Sequence, residues 1–178
     1  MTALGVDRAV PEPPATTMID LNGADRERAV PILIASFEGI YRWHAKRTLR
    51  DISRVRAVVR GGTLAGISML ERLAPEVGYV YYLAVDPAFR GQGVGGVLLD
   101  DALRSFREAG ASVVYGAAEE ENQPSRRLFL SRGFREVAKH ETGYREGGLG
   151  AWGLRSRMRI VYGELLYGLR FPADPAPS

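Results

Sequence analysis

Apolar positions recur at helical spacing over residues 94–109. Val94, Val97, Leu98, Ala102, Leu103 and Phe106 form one stripe, and Gly110 follows as a stop, so the spacing predicts a long helix from Val94 to Ala109. Shorter apolar runs punctuate the chain before it. Thr16 to Leu21, Val55 to Val59, Leu64 to Leu70 and Tyr79 to Val85 read as strands, and Gly61-Gly62 joins the second to the third as a hairpin. The Gly78–Val85 run is eight residues long and suits a buried strand. Asp25 is expected to cap a helix reaching Phe37, with Val30, Ile32, Leu33, Ile34 and Phe37 apolar, and Ile40 to Leu49 reads as a second helix. Beyond the long helix, Ser112 to Ala117 is a strand, Pro124 to Arg132 a helix stopped by Gly133, and Phe134 to Lys139 a strand. Trp152, Leu154, Met158 and Ile160 alternate with Arg155, Arg157 and Arg159, which predicts a strand with one basic face. Tyr162 to Arg170 fits either period.

Hairpin strands followed by strand–helix–strand–helix–strand argue for an α+β fold with one central mixed sheet. A chain of 178 residues suits one domain. Its expected bounds are 16–160, between an N-terminal tail at 1–15, with Pro11, Pro13 and Pro14, and a C-terminal extension at 161–178, with Pro172, Pro175 and Pro177. The absence of cysteine excludes a disulfide scaffold, a thiolate metal site and a cysteine nucleophile. With His44 and His140 the only histidines, no metal site is expected. No stretch reads as a signal peptide or a spanning helix, which leaves a cytoplasmic expectation and no membrane partner. A net charge of +3 and a pI near 9.4 favour an anionic partner without choosing among nucleic acid, a phosphorylated cofactor and an acidic substrate.

The chemistry concentrates after Val85. Asp86-Pro87 makes a turn, and Arg90-Gly91-Gln92-Gly93-Val94-Gly95-Gly96 then opens the long helix. Glycines let backbone N–H groups converge, and a helix start presents unpartnered N–H groups and positive potential, so phosphate is the natural guest. A purely structural turn is one reading. A dinucleotide loop is a second, since Gly91, Gly93 and Gly96 satisfy G-x-G-x-x-G, although such loops normally follow the first strand of a βαβ unit. No Gly-Lys-Ser/Thr follows, so it is not a P-loop.

The third reading is a resemblance. Arg90-x-x-Gly93-x-Gly95 after a strand and Asp-Pro resembles the acetyl-CoA loop of the GNAT N-acetyltransferase superfamily. Asn122-x-x-Ser125-x-x-x-Phe129-x-x-x-Gly133-Phe134 resembles its second block, at the family's spacing. The resemblance spans about residues 17–160 and is clearest at 79–137. It implies a mixed, mostly antiparallel sheet flanked by helices, with two strands splayed at the cofactor site. It implies acetyl-CoA as acyl donor, held by the backbone of Leu83, Ala84 and Val85, by amides from Gly91 through Gln92, Gly93, Val94 and Gly95 to Gly96, and by Arg90, Asn122 and Phe129. It also implies a primary-amine acceptor that attacks the thioester directly, supplied by a small molecule or a peptide. A non-catalytic acyl-CoA-binding or regulatory module is the alternative.

An alkyl ammonium of pKa near 10.4 costs roughly 4 kcal/mol to deprotonate near neutral pH, so a base helps. Many relatives place a glutamate on the strand before the loop, where this chain has Tyr79, Tyr81 and Tyr82. Glu119 is the candidate base, with Glu71 behind it. The family's usual tyrosine acid is replaced by Phe129, with Tyr144 or Ser125 as candidate substitutes; Phe129 is expected against the pantetheine. Arg126 and Arg127 are placed for phosphate contact. The basic run Arg42, Lys46, Arg47, Arg50, Arg54, Arg56 and Arg60 reads as a solvated surface or as part of an acidic acceptor's pocket. Tyr41, Trp43 and His44 are candidates for the acceptor site. No nucleic-acid-binding module is recognisable. The arginines at 155–159 read as a homodimer edge or a solvent face.

Overall fold

The computed structural model describes residues 15–138, 157–160 and 163–172. Seven strands in the order β1-β2-β3-β4-β5-β7-β6 form one sheet: β1 (Thr16–Asp20), β2 (Arg54–Arg60), β3 (Thr63–Ala74), β4 (Val77–Val85), β5 (Val113–Glu119), β6 (Arg135–Glu136) and β7 (Glu164–Arg170). Every neighbouring pair is antiparallel except β4 with β5. Four helices flank it: α1 (Val30–Ser36), α2 (Gly39–Asp51), α3 (Val94–Glu108) and α4 (Gln123–Ser131). The expected α+β fold with a mixed, mostly antiparallel sheet is what the chain adopts.

Each face of the sheet takes its own helices. α1 and α2 bury Ile32, Leu33, Ala45 and Leu49 against Leu21, Val55, Ile67 and Met69. α3 lays Val94 and Leu98 on Val58 and Ala65, and Leu99, Ala102 and Phe106 on Leu70, Val80 and Val114. The apolar stripe read from the sequence is therefore the buried one. Gly78 makes the approach of α3 possible, since a Cβ there would stand 2.6 Å from the Phe106 ring. Burying a phenylalanine contributes about 1.5–3 kcal/mol, so this glycine protects a substantial contact.

Three expectations need correction. Asp25 does not cap a helix; it sits inside a 3₁₀ segment, Gly23–Ala29, and α1 begins only at Val30. Pro31 explains the break, because proline lacks an N–H yet fits the first turn of an α-helix. Arg157 and Met158 form a helical turn rather than a strand, with Met158 buried against Leu73, Tyr79 and Tyr115; positions 152–156 lie outside the described residues. Residues 164–170, set apart as part of a C-terminal extension, form β7, an interior strand between β5 and β6.

Candidate active site

The parallel ladder between β4 and β5 runs only from Val77↔Val113 to Val80↔Gly116. Beyond it the strands part. The cause lies on the other side of β4. Its register with β3 steps from Met69↔Tyr82 to Leu70↔Val80, leaving Tyr81 as the extra residue of a β-bulge. A bulge bends its strand and increases the local twist, which carries the end of β4 away from β5. Tyr82 to Val85 still pair with β3, and among the described residues their other edge has no strand beside it. An edge of unpaired N–H and C=O groups inside a sheet is a template for an extended amide-bearing ligand.

A hollow of about 480 Å³ occupies the gap, lined among others by Val80, Tyr81, Tyr82, Leu83, Ala117, Glu119 and Asn122. It continues past the end of β4 into a groove of about 690 Å³ over the glycine loop, where Ala84, Val85, Gly91, Gly93, Val94, Gly95 and Ser125 form the walls. Gly93 precedes α3 at φ +79° and Gly91 lies at φ +72°, both left-handed, and a Cβ on either would point into open space. No acidic side chain stands in the first turn of α3. The amides of Val94, Gly95 and Gly96 belong to the helix's unpartnered set. These features fit a pyrophosphate. At Gly96 the Arg132 guanidinium, held by Asp100 at 2.9 Å, passes 2.5 Å from where a Cβ would be, so a side chain there would displace the arginine's tip.

The loop is braced from both sides. Arg60 donates to the Gln92 carbonyl at 3.1 Å, and the Gln92 amide donates to the Ala88 carbonyl at 2.9 Å. Arg90 lines the cleft, but its guanidinium bonds the Val85 and Ala35 carbonyls at 3.3 and 3.4 Å, so it ties β4 to α1. Asn122 caps α4, its Oδ1 accepting from the Ser125 N–H at 3.1 Å, and lines both hollows. Phe129 reaches the cleft from α4 and is otherwise buried. Its ring stacks on Tyr167 at 5.4 Å and lies where a Cβ on Gly116 would be, 2.6 Å away.

At the far end Tyr41, Glu38 and Glu164 join Glu119 around the hollow. A smaller hollow of about 110 Å³ continues inward, lined by His44, Thr48, Tyr79, Met158 and Arg159 and sharing Tyr41, Tyr81, Tyr82, Ala117 and Glu164 with the first. Tyr41 is hydrogen-bonded to Glu119, and its phenol is pushed up to about 12 by burial first and then by the charges of Glu164 and Glu119. Tyr82 is likewise pushed up to about 12, by burial and then Glu164. Burial also raises Tyr79, again with Glu164 the largest charge. These phenols stay neutral in ordinary conditions.

Several sequence candidates lie elsewhere. Glu71 accepts from the Ser53 N–H at 3.2 Å and does not line the cleft. Arg126 bonds the Tyr167 hydroxyl and the Glu120 carbonyl, each at 2.9 Å, and Arg127 is exposed outside both hollows. Arg42 holds the Phe37 carbonyl, Arg47 lies over Trp43, and Arg54 and Arg56 pair with Asp20. None of the seven basic residues from Arg42 to Arg60 lines the cleft. Trp43 is exposed, whereas Tyr41 and His44 line the cleft. Tyr144 lies outside the described residues. Glu164 escaped the sequence reading, because only the insertion of β7 beside β5 brings it to Glu119.

Sheet order, bulge, parted parallel strands and glycine-headed helix define the acetyltransferase class that the two blocks resemble. The model of the Acetyltransferase (GNAT) family matches residues 26–134, and the chain belongs to that family. The chain is 32% identical over 142 residues, 76% of its length and 88% of the other's, to a Mycobacterium tuberculosis protein named N-alpha-acetyltransferase RimI. Its fold matches the ribosomal-protein-S18-alanine N-acetyltransferase of Escherichia coli with a TM-score of 0.66 at 16% identity, covering 91% of this chain and 97% of that one. A Bacillus subtilis acetyltransferase solved in complex with CoA matches with a TM-score of 0.66 at 16% identity, over 89% of this chain and 100% of that one. GNAT acetyltransferases use acetyl-CoA. Among the described residues no cluster of His, Cys, Asp or Glu could hold a metal, and no helix is long and apolar enough to cross a membrane.

Proposed function

We infer that the protein transfers the acetyl group of acetyl-CoA to the α-amine of a peptide N-terminus. The observation that carries this reading is the parted β4–β5 pair, walled by glycine-loop amides at one end and by carboxylates and phenols at the other. The open edge of Leu83 to Val85 serves the amides of the pantetheine arm, and the amides from Gly91 to Gly96 serve the pyrophosphate. Arg90 holds that edge in place, and Asn122 and Phe129 flank the arm. Acetyl-CoA supplies the acyl group as a thioester.

Glu119 takes a proton from the acceptor ammonium. The neutral amine forms a C–N bond to the thioester carbonyl carbon, the C–S bond breaks, the sulfur leaves with its electron pair, and the proton that the bonded nitrogen sheds to become an amide passes to water or to the departing thiolate. A thiol of pKa near 8.5 leaves passably as thiolate, so Phe129 in place of a proton donor is tolerable. The same arithmetic favours an α-amine. With a pKa near 8 it costs only about 0.8 kcal/mol to deprotonate at pH 7.4, against about 4 for a lysine amine. A site with one carboxylate base and no phenol at 129 is equipped for the smaller task. The name of the Mycobacterium tuberculosis relative supports the same acceptor.

The test is thiol release from acetyl-CoA with short peptides bearing free N-termini. Turnover is expected, with Glu119→Gln lowering kcat about 10²–10⁴-fold and leaving CoA affinity unchanged. Thiol release with no free-amine peptide would overturn the acceptor assignment. An unaffected Glu119→Gln would remove that residue as the base.

A further inference from the structure

Arg56, Val58 and Arg60 share one face of β2, since side chains alternate along a strand. Arg56 bonds Asp101, Val58 packs on Leu98 and Val94, and Arg60 donates from Nη1 to the Gln92 carbonyl at 3.1 Å. The contacts step forward along β2 as they step back along α3. Four steps of strand and nine of mostly helical chain each span about 13 Å, so the two arginines meet opposite ends of the helix. Asp101 belongs to the helix, whereas Gln92 lies in the loop before Val94. Arg60 is itself held. Its Nε donates at 3.1 Å to the hydroxyl of Thr16, its direct partner across the β1–β2 ladder.

Gln92 sits between Gly91 and Gly93, both left-handed. Glycine takes positive and negative φ about as readily, so the chain's own preferences do not fix which way the peptide plane from Gln92 to Gly93 turns. Among the described residues no backbone N–H donates to the Gln92 carbonyl, and no backbone carbonyl accepts from the N–H of Gly91, Gln92 or Gly93. A trans peptide is planar, so its C=O and N–H point opposite ways. A carbonyl held toward Arg60 therefore turns the Gly93 N–H away from β2, and Gly93 lines the groove where the pyrophosphate is placed.

From this arrangement we propose that Arg60 is a positioning residue for the acyl donor: by holding the Gln92 carbonyl it aims the Gly93 N–H at the pyrophosphate. The inference rests on the acetyltransferase reading above and deepens it. Arg60 lines neither hollow of the cleft and acts through one peptide group. A guanidinium on the carbonyl also polarises the amide and makes its N–H a stronger donor. Without Arg60 the plane is free to turn its carbonyl oxygen toward the phosphates, which puts a repulsion where a hydrogen bond stood. The Gln92 side chain is no substitute, because its bond to the Ala88 carbonyl leaves the peptide plane free. The two arginines of β2 thus divide their work. Arg56 ties α3 to the sheet, and Arg60 sets the loop for donors that carry a pyrophosphate.

The experiment titrates CoA by calorimetry into the wild type, Arg60→Ala, Arg60→Gln and Arg60→Lys at one salt concentration. Arg60→Ala and Arg60→Gln are expected to bind CoA about tenfold more weakly, as for loss of a hydrogen bond to a charged group, and Arg60→Lys to recover part of the loss. Dephospho-CoA keeps the pyrophosphate and lacks the ribose phosphate, so its affinity falls by the same factor. In turnover with the peptide acceptor, Arg60→Gln raises KM for acetyl-CoA with little change in kcat, while kcat/KM for S-acetylpantetheine, which has no pyrophosphate, stays within about twofold of wild type. Thermal unfolding establishes that each variant is folded at the assay temperature, and Arg60→Gln and Arg60→Lys carry the test if Arg60→Ala is not. CoA affinity of Arg60→Gln within about twofold of wild type overturns the inference. So does a loss confined to CoA and absent with dephospho-CoA, or an equal loss with S-acetylpantetheine. The two readings fail separately. A wild type that binds no CoA sinks the acetyltransferase reading and this role with it. An Arg60→Gln protein that binds CoA as the wild type does sinks the role of Arg60 alone, and weakened CoA binding with no thiol release from the wild type sinks the transfer chemistry alone.

Discussion

At Gly91 and Gly93 the chain adopts φ of +72° and +79° with open space where a side chain would start. Conformation rather than crowding therefore demands glycine, and a left-handed non-glycine residue costs about 1–2 kcal/mol. Gly93→Ala is expected to lower Tm by about 3–6 °C and to weaken CoA binding several-fold, read by thermal unfolding and calorimetry. Unchanged values of both would contradict the loop's role. Gly116 is demanded by crowding instead, since a Cβ would strike the Phe129 ring. Spacing made Gly91 and Gly93 legible because their block repeats a pattern tied to backbone geometry, whereas nothing in the sequence marked Gly116. Side-chain roles were less legible. Arg90 sits where the pattern puts a cation, yet its guanidinium is spent on two carbonyls. Glu71 lies on the right sheet but bonds the Ser53 amide.

At the scale of elements, α3 is joined to the early strands by one buried ion pair. Arg56 on β2 bonds both oxygens of Asp101 at 2.8 and 2.9 Å and also reaches Asp20 on β1 at 2.8 Å. The Asp101 side chain is 2% exposed. Burial pushes its carboxyl up, but the bonds from Arg56 and Arg104 outweigh this and hold it below its usual 3.8. Asp20 is also lowered, chiefly by its bond to Arg54. A depressed carboxyl stabilises fully above its unfolded value and loses that contribution as pH falls through the folded one. The wild type is therefore expected to lose stability from these groups below pH about 4. Asp101→Ala leaves Arg56 without that partner and is expected to cost about 3 kcal/mol in urea unfolding at pH 7, with a shallower acid limb. A loss under about 0.5 kcal/mol would contradict the tie. Periodicity announced α3 because 15 residues of stripe average out exceptions. β7 stayed ambiguous because Glu-Leu-Leu-Tyr-Gly-Leu-Arg suits both periods, and its identity comes from pairing with β5 and β6. The bulge at Tyr81 left no mark either, since it arises from register with β3 rather than from a turn residue.

Over the whole molecule, a basic chain carries an acid-lined end to its cleft. The net charge of +3 pointed toward an anionic partner, and the glycine groove is where the proposed pyrophosphate would sit. It gave no hint of Glu38, Glu119 and Glu164 gathering at the other end, because net charge averages over surfaces that folding separates. The fold was legible from its order of elements. The polarity of the cleft was not, since it depends on which distant strands become neighbours. The central claim is that the parted β4–β5 pair is where acetyl-CoA meets the amine. A crystal structure with CoA bound tests this most directly. The account predicts the pantetheine amides along Leu83 to Val85, the pyrophosphate on the amides from Gly91 to Gly96, and the sulfur in the gap beside Ala117, facing Glu119 and Glu164. CoA lying elsewhere, or a β4–β5 ladder closed beyond Val80↔Gly116, would contradict it.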